Sequence, residues 1–391
     1  MRAVLTVLAL WAAGLGAAAQ FGKISVLYQT LQTTYAAHAG VGIGLMVSIV
    51  GIVGLIFGTT AGLLVARIGP RRAILSALAL GAVVSAVQST FPSYPLMMLT
   101  RVLEGVSHLT IVVVGPTAIA GVTSARHQGL AMTLWSSFFG VTYAALAYFA
   151  PGLIAEHGAG ALFQLHGLWM IACFAALFLL MPRDPVHVLQ TGQGNLLAQH
   201  AAIYASPFIA APAMGFVCYT VTYVAVLTLL PAIVTPGWGP FVGVLMPLVS
   251  ITVSLTLGVW LLSKLPAFRL VQAGFAVAIL ASFGLWLTWG QGAAEASFAL
   301  LMAAALGVVQ GASFASLAQI NPTAKDRARG AGAIAQLGNL GTTTGTPLLA
   351  LIIAQAGAAG LALFLICFSA LGIVLHSLQA RRRSAADRTA G

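Results

Sequence analysis

Runs of about 20 mostly apolar residues, the length a helix needs to cross a bilayer, recur along the chain. They fall at roughly 4–29, 40–65, 73–90, 95–120, 129–152, 161–181, 207–230, 240–262, 269–289, 296–320, 330–354 and 360–379. Twelve runs of this length, rich in Ala, Leu, Val and Gly, fit helices rather than barrel strands of about ten residues. Turn formers punctuate them, as at Phe91-Pro92-Ser93-Tyr94-Pro95, 231–240 and Asn321-Pro322. The longest non-apolar stretch lies in the middle. The pattern predicts an all-α membrane protein: an N-terminal six-helix bundle over 1–181, a central cytoplasmic loop over 182–206, a C-terminal six-helix bundle over 207–379 and a basic tail over 380–391.

Composition agrees. Of 391 residues, 60% are apolar and 6% charged, against about 25% charged in a soluble domain. The net charge of +11 would fit a nucleic-acid partner if it were gathered in one patch, but it is dispersed. With the N-terminus placed inside, the cytoplasmic segments hold Arg2; Arg67, Arg71 and Arg72; Arg126; Arg183; Lys264 and Arg269; Lys325, Arg327 and Arg329; and Arg381, Arg382, Arg383 and Arg388. These are fifteen of the seventeen basic residues. That is the positive-inside pattern, so the expected partner is a lipid bilayer and not nucleic acid. The expected location is a bacterial inner membrane with both termini cytoplasmic. Arg2, the apolar run to Leu15 and Ala17-Ala18-Ala19 resemble a cleavable signal. Apolar character continues to Leu27, which favours a retained first span.

The halves repeat. Gly105 in the fourth span is followed by Gly115-Pro116-Thr117-Ala118, and Gly311 in the tenth by Asn321-Pro322-Thr323-Ala324 at similar spacing. Arg126-His127-Gln128-Gly129 parallels Arg327-Ala328-Arg329-Gly330, and Gly140 and Gly341 follow each at equal distance. Two six-span repeats of the same orientation are the layout of transporters that bind substrate near the midplane.

The stretch Gly62-Leu63-Leu64-Val65-Ala66-Arg67-Ile68-Gly69-Pro70-Arg71-Arg72 resembles the loop signature G-x-L-x-D-x-x-G-R-[KR] of the major facilitator superfamily. Gly62, Leu64, Gly69 and Arg71 match, whereas Ala66 stands for the aspartate and Pro70 for an arginine. Arg101, Gly105 and Pro116 are similar to that family's fourth-span pattern. Pro151-Gly152 is all that remains of its antiporter signature. A basic residue on the first span and Leu134-Trp135-Ser136 on the fifth resemble cyanate/nitroimidazole-type carriers within the superfamily. The resemblance implies a secondary transporter working by alternating access, functional as a monomer, with Gly62, Gly69, Arg71 and Arg72 at a gating loop.

Candidate chemistry is sparse. No nucleotide-binding G-x-x-x-x-G-K-[ST], no G-x-S-x-G and no H-E-x-x-H occur, so neither an enzyme nor a cofactor or metal is expected. The informative residues are charges within spans: Lys23, Arg101 and Glu104. Each costs about 2.5–3.5 kcal/mol at mid-membrane on an insertion scale. Arg101, Glu104 and His108 share one helix face by their spacing. At 1.5 Å per residue from Pro95 they lie about 9, 14 and 20 Å deep, and Lys23 lies roughly 10–16 Å deep. Lys23 and Glu104 can therefore meet if spans one and four are neighbours. One reading is a fixed Arg101–Glu104 pair braced by Lys23. The other is a net-positive site for a small anionic or carboxylate-bearing substrate, with Glu104 or His108 exchanging a coupling proton. By the repeat, Arg101, Glu104 and His108 correspond to Gly307, Gln310 and Phe314. Trp135, Tyr219, Tyr223, Gln310 and Asn339 complete the candidate lining, with Ser313 and Gln336 as further polar groups. Glu156, His157 and Glu295 are expected to be solvated in outer loops, His127, His187 and His200 on the cytoplasmic surface. His38, His166 and His376 receive no role. A proton-coupled exporter of hydrophobic or cationic compounds, with Glu104 as its acid, and a transporter-shaped sensor or scaffold are the alternatives.

Overall fold

A computed structural model describes residues 1–61, 65, 68–183 and 196–390. Every regular element among them is helical. In the first half these are α1 (Arg2–Val26), α2 (Tyr28–Thr34), α3 (Val41–Ser48), α4 (Gly51–Phe57), α5 (Pro70–Gln88), α6 (Tyr94–Val122), α7 (Ala125–Ser136), α8 (Phe138–His157) and α9 (Ala159–Leu180). In the second they are α10 (Leu196–Ala205), α11 (Ala211–Ile233), α12 (Gly239–Val253), α13 (Val259–Leu262), α14 (Ala267–Leu287), α15 (Ala293–Ile320) and α16 (Ala324–Ala390). Two compact units result, 1–191 and 192–391. Gly62, part of the loop motif, and most of the central loop, 184–195, lie outside the described residues.

Among the described residues, ten helices are long and apolar enough to cross a membrane in one piece. Twelve spans follow because the second is split into α3 and α4, and because α16 carries two. The 67-residue α16 turns at Gly357, whose φ of 53° ends one span and starts the next. A left-handed backbone there is cheap only for glycine. The helix also continues through the basic residues beyond 380. Near the start of the second unit α10 docks on α16, where the Tyr204 hydroxyl donates to Gln336 Oε1 at 2.8 Å. Burial pushes that phenol up to about 12.

The two units pair their helices alike. In the first, α6 packs on α1, α4 and α5, and α9 packs on α5. In the second, α15 packs on α11, α12 and α14, and α16 packs on α14. The spans that correspond to each other, second and eighth, are both irregular beside their neighbour's glycine. A Cβ on Gly105 would lie 2.5 Å from the Val50 carbonyl oxygen at the α3–α4 break. One on Gly311 would lie 2.5 Å from Ser254 Oγ, at the head of a π-helical turn over Ser254–Gly258. Small residues let membrane helices approach this closely, and packing replaces the hydrophobic drive that lipid removes. Gly105→Ala is therefore expected to cost roughly 1–3 kcal/mol by overpacking, read as a lower Tm in detergent. An unchanged Tm would show that α4 yields without cost.

Large apolar side chains such as Tyr148, Phe149, Leu179, Leu280 and Leu363 point outward and are more than half exposed. A belt of this kind has lipid as its natural solvent. One expectation fails at an outer end. Glu295 is not solvated but fully buried. Helix α15 begins at Ala293, earlier than the apolar run indicates, and this sets Glu295 in its first turn. There the polarised helix N-terminus favours a carboxylate. Glu295 Oε2 also accepts from the backbone N–H of Thr235 at 3.2 Å and from the Thr235 hydroxyl.

Candidate functional site

Four helices of the first unit each contribute polar side chains to one buried layer. Helix α1 supplies Gln20 and Lys23, α5 supplies Ser85 and Gln88, and both pairs are three apart and so share a face. Helix α6 supplies Thr100, Arg101, Glu104 and Ser107, and α9 supplies His166. All of these are buried, and Lys23, Arg101 and Glu104 have no exposed surface.

Glu104 is the hub. Its Oε1 is paired with Lys23 Nζ and its Oε2 with Arg101 Nη1, and Oε2 also accepts from Gln88 Nε2 at 2.9 Å. Lys23 Nζ donates to Ser85 Oγ at 2.8 Å, stands 3.2 Å from His166 Nδ1 and lies 5.3 Å from the centre of the Phe163 ring. The three ammonium hydrogens thus have three polar neighbours. Arg101 uses the rest of its fork on the split second span. Nε donates to the Met46 carbonyl at 2.9 Å and Nη2 to that of Val47 at 3.2 Å. These are carbonyls at the end of α3, where the helix break withholds intrahelical donors.

The tautomer of His166 follows from its partners. Nε2 lies 2.9 Å from the Gly16 carbonyl, which can only accept, so Nε2 carries the hydrogen. Nδ1 is then the acceptor, and the Ser85 hydroxyl at 2.6 Å donates to it. A chain of hydrogen bonds runs from Lys23 Nζ to Ser85 Oγ to His166 Nδ1. Counted together, two cations and one carboxylate leave the layer with one positive charge in excess.

The sequence-derived cluster is thus assembled for Lys23, Arg101 and Glu104. His108 stands beside it: Nδ1 faces the Ala17 carbonyl at 2.9 Å and the ring meets Phe21 edge-on. Trp135 is a core residue of the first unit, packed against Phe138 and over Gly14 and Gly115. In the second unit Tyr219 and Tyr223 stack on α11 with centroids 5.0 Å apart. Asn339 donates to the Ala335 carbonyl of its own helix at 2.7 Å, and Gln310 is half-buried on α15. In the loop motif, Gly69 adopts φ 95° and caps α5 just ahead of Pro70. Arg71 donates to the Phe178 carbonyl at 2.7 Å, Arg2 reaches that of Leu180 at 3.2 Å, and Arg72 is exposed. Arg2 and Arg71 thereby bind the C-terminal carbonyls of α9, where a helix dipole favours cations.

Sequence reasoning misses Ser85, Gln88, Gln20 and His166. The three-residue spacing of Ser85 and Gln88 in an apolar span is a readable signal. Nothing local marks His166, which lies in the second turn of α9 and joins the buried layer only through packing.

Known proteins place this architecture. The chain is 26% identical over 194 residues to the inner membrane transport protein YajR of Escherichia coli (strain K12). That match spans 48% of this chain and 41% of YajR, less than half of the relative's length. The inward open conformation of the xylose transporter XylE from E. coli has the same fold, with TM-score 0.76 at 16% identity over 95% of this chain and 94% of that one. A sequence profile described as Major Facilitator Superfamily matches residues 6–322. With the profile running from the first span through the tenth and the fold shared over nearly the whole length, the chain belongs to the major facilitator superfamily of membrane transporters.

Proposed function

We propose that the protein is a secondary transporter of a bacterial inner membrane that moves a small organic anion, such as a carboxylate-bearing solute, by alternating access. Both termini face the cytoplasm, a proton gradient is the driver, and a single chain is the working unit. The observation that carries this reading is the charge count: among the described residues, Lys23 and Arg101 are buried with Glu104 as the one carboxylate paired to them. An uncompensated cation away from water is costly, and an anionic ligand recovers part of that cost. A neutral sugar, the cargo named for XylE, would leave the excess charge as it is. Because the cluster has no exposed surface, substrate access requires helices α1, α5, α6 and α9 to loosen around it.

The test is flux into proteoliposomes for a panel of labelled monocarboxylates, dicarboxylates and organic cations, with and without a pH gradient. Lys23→Ala leaves the Arg101–Glu104 pair neutral and so keeps a compensated core. It is expected to lower anion kcat/KM by about tenfold to a hundredfold, the equivalent of one lost hydrogen bond to a charged group. Anion flux unaffected by Lys23→Ala, or cations moving in place of anions, refutes the proposal.

A further inference from the structure

We infer that the exchangeable proton of the buried layer is carried by Lys23, with Ser85 and His166 as its relay, and not by Glu104 or His108. This deepens the proposed proton coupling and rests on it.

Lys23 and the partners it touches are surrounded by groups from five other helices. Arg101, Glu104 and His108 come from α6, and His166 and the Phe163 ring from α9. Ser85 and Gln88 come from α5, the carbonyls of Met46 and Val47 reach Arg101 from α3, and Tyr143 of α8 lies 3.2 Å from Ser25 Oγ on α1. Two single-proton changes can be compared by charge alone. Protonating Glu104 would raise the layer from one excess positive charge to two and strip both cations of their partner. Removing a proton from Lys23 lowers the excess to zero and leaves Arg101 and Glu104 as an intact pair, three residues apart on one helix. A low-dielectric interior penalises net charge, so the second change is the accessible one. Arg101 cannot serve, because a guanidinium does not deprotonate in proteins. His108 is turned to the Ala17 carbonyl.

Geometry supplies the route. Ser85 Oγ accepts from Lys23 Nζ at 2.8 Å and donates to His166 Nδ1 at 2.6 Å. A Lys23 N–H bond breaks as an O–H bond forms on Ser85. The original Ser85 proton moves to Nδ1, and each nitrogen or oxygen keeps the electron pair of the bond it gives up. Neutral Lys23 then accepts from Ser85, and the His166 imidazolium still donates through Nε2 to the Gly16 carbonyl. Loosening of the bundle lets water take one proton from the imidazolium and restores the neutral ring. In the second unit the positions equivalent to Arg101 and Glu104 are the uncharged Gly307 and Gln310.

Infrared difference spectroscopy across a pH titration, on full-length protein in lipid vesicles, reads this without any substrate. The imidazole signal of His166 is identified as the part absent from His166→Gln, the other seven histidines being common to both. The expected result is a pH-dependent His166 signal in the wild type that is lost in Lys23→Met. The idea is overturned if Lys23→Met leaves that signal unchanged, or if the wild type shows none. It is equally overturned by a protonated-carboxyl C=O band that Lys23→Met retains and Lys23→Met/Glu104→Gln lacks. The double variant keeps the wild-type excess of one positive charge and so guards against a mere folding failure. An intact infrared signal with no anion flux would sink the transport reading and leave this one standing.

Discussion

Glu104→Gln should be the most damaging single change in the first unit. The substitution keeps size and hydrogen-bonding ability but leaves Lys23 and Arg101, both without exposed surface, with no counter-charge. Removing one partner of a buried pair costs about 3–5 kcal/mol, and here one carboxylate serves two cations. The expected result is low accumulation in the membrane and a large fall in Tm, measured by intrinsic tryptophan fluorescence of the purified protein. Charge accounting makes the order of variants specific. Lys23→Met/Glu104→Gln, with one unpaired cation, should be more stable than Glu104→Gln with two. Lys23→Met, with none, should lie closest to the wild type. Should Glu104→Gln match the wild type in Tm, the layer is not held by this carboxylate.

The second large effect is expected at Arg101, for a different reason. Its guanidinium bonds Glu104 and two carbonyls of the split second span at once. Arg101→Lys keeps the charge and loses the fork, since an ammonium on a flexible stem cannot reproduce that geometry. Met46 and Val47 are fully buried, and each carbonyl left without a donor costs about 1–3 kcal/mol. Amide hydrogen exchange should accelerate around the break, at Ile49 to Ile52, more than elsewhere in the unit. If exchange there is unaltered in Arg101→Lys, the break is stabilised by its own packing and Arg101 is simply a counter-ion for Glu104.

The candidate site is partly legible in the sequence. Ionisable residues in apolar spans are too expensive to be incidental, so Lys23, Arg101 and Glu104 announce themselves, and helix rise places Lys23 and Glu104 at overlapping depths. His108 is a reasonable candidate from its spacing to Glu104. Its ring is instead taken by the Ala17 carbonyl and Phe21, and the histidine beside Lys23 is His166, 143 residues away in sequence. Neutral Ser85 and Gln88 raise no alarm in an apolar run because their insertion cost is small beside that of a charge. Trp135 reads as a lining residue, yet it fills the space left by Gly14 and Gly115. An indole is amphipathic, and sequence does not say which of its faces finds a partner.

By itself the sequence determined the solvent, the number of spans and the duplication of the halves. Those depend on apolar run length and on spacing, both one-dimensional quantities that the bilayer and the helix impose directly. Only the tertiary structure decided which charges neutralise which, that Arg101 closes the break in the second span, and that Glu295 is buried in a helix's first turn. The physical reason is that burial energies depend on the neighbours brought in by other helices. A carboxylate, an imidazole or an arginine fork becomes a hub, a relay or a cap according to what lies within about 3 Å of it.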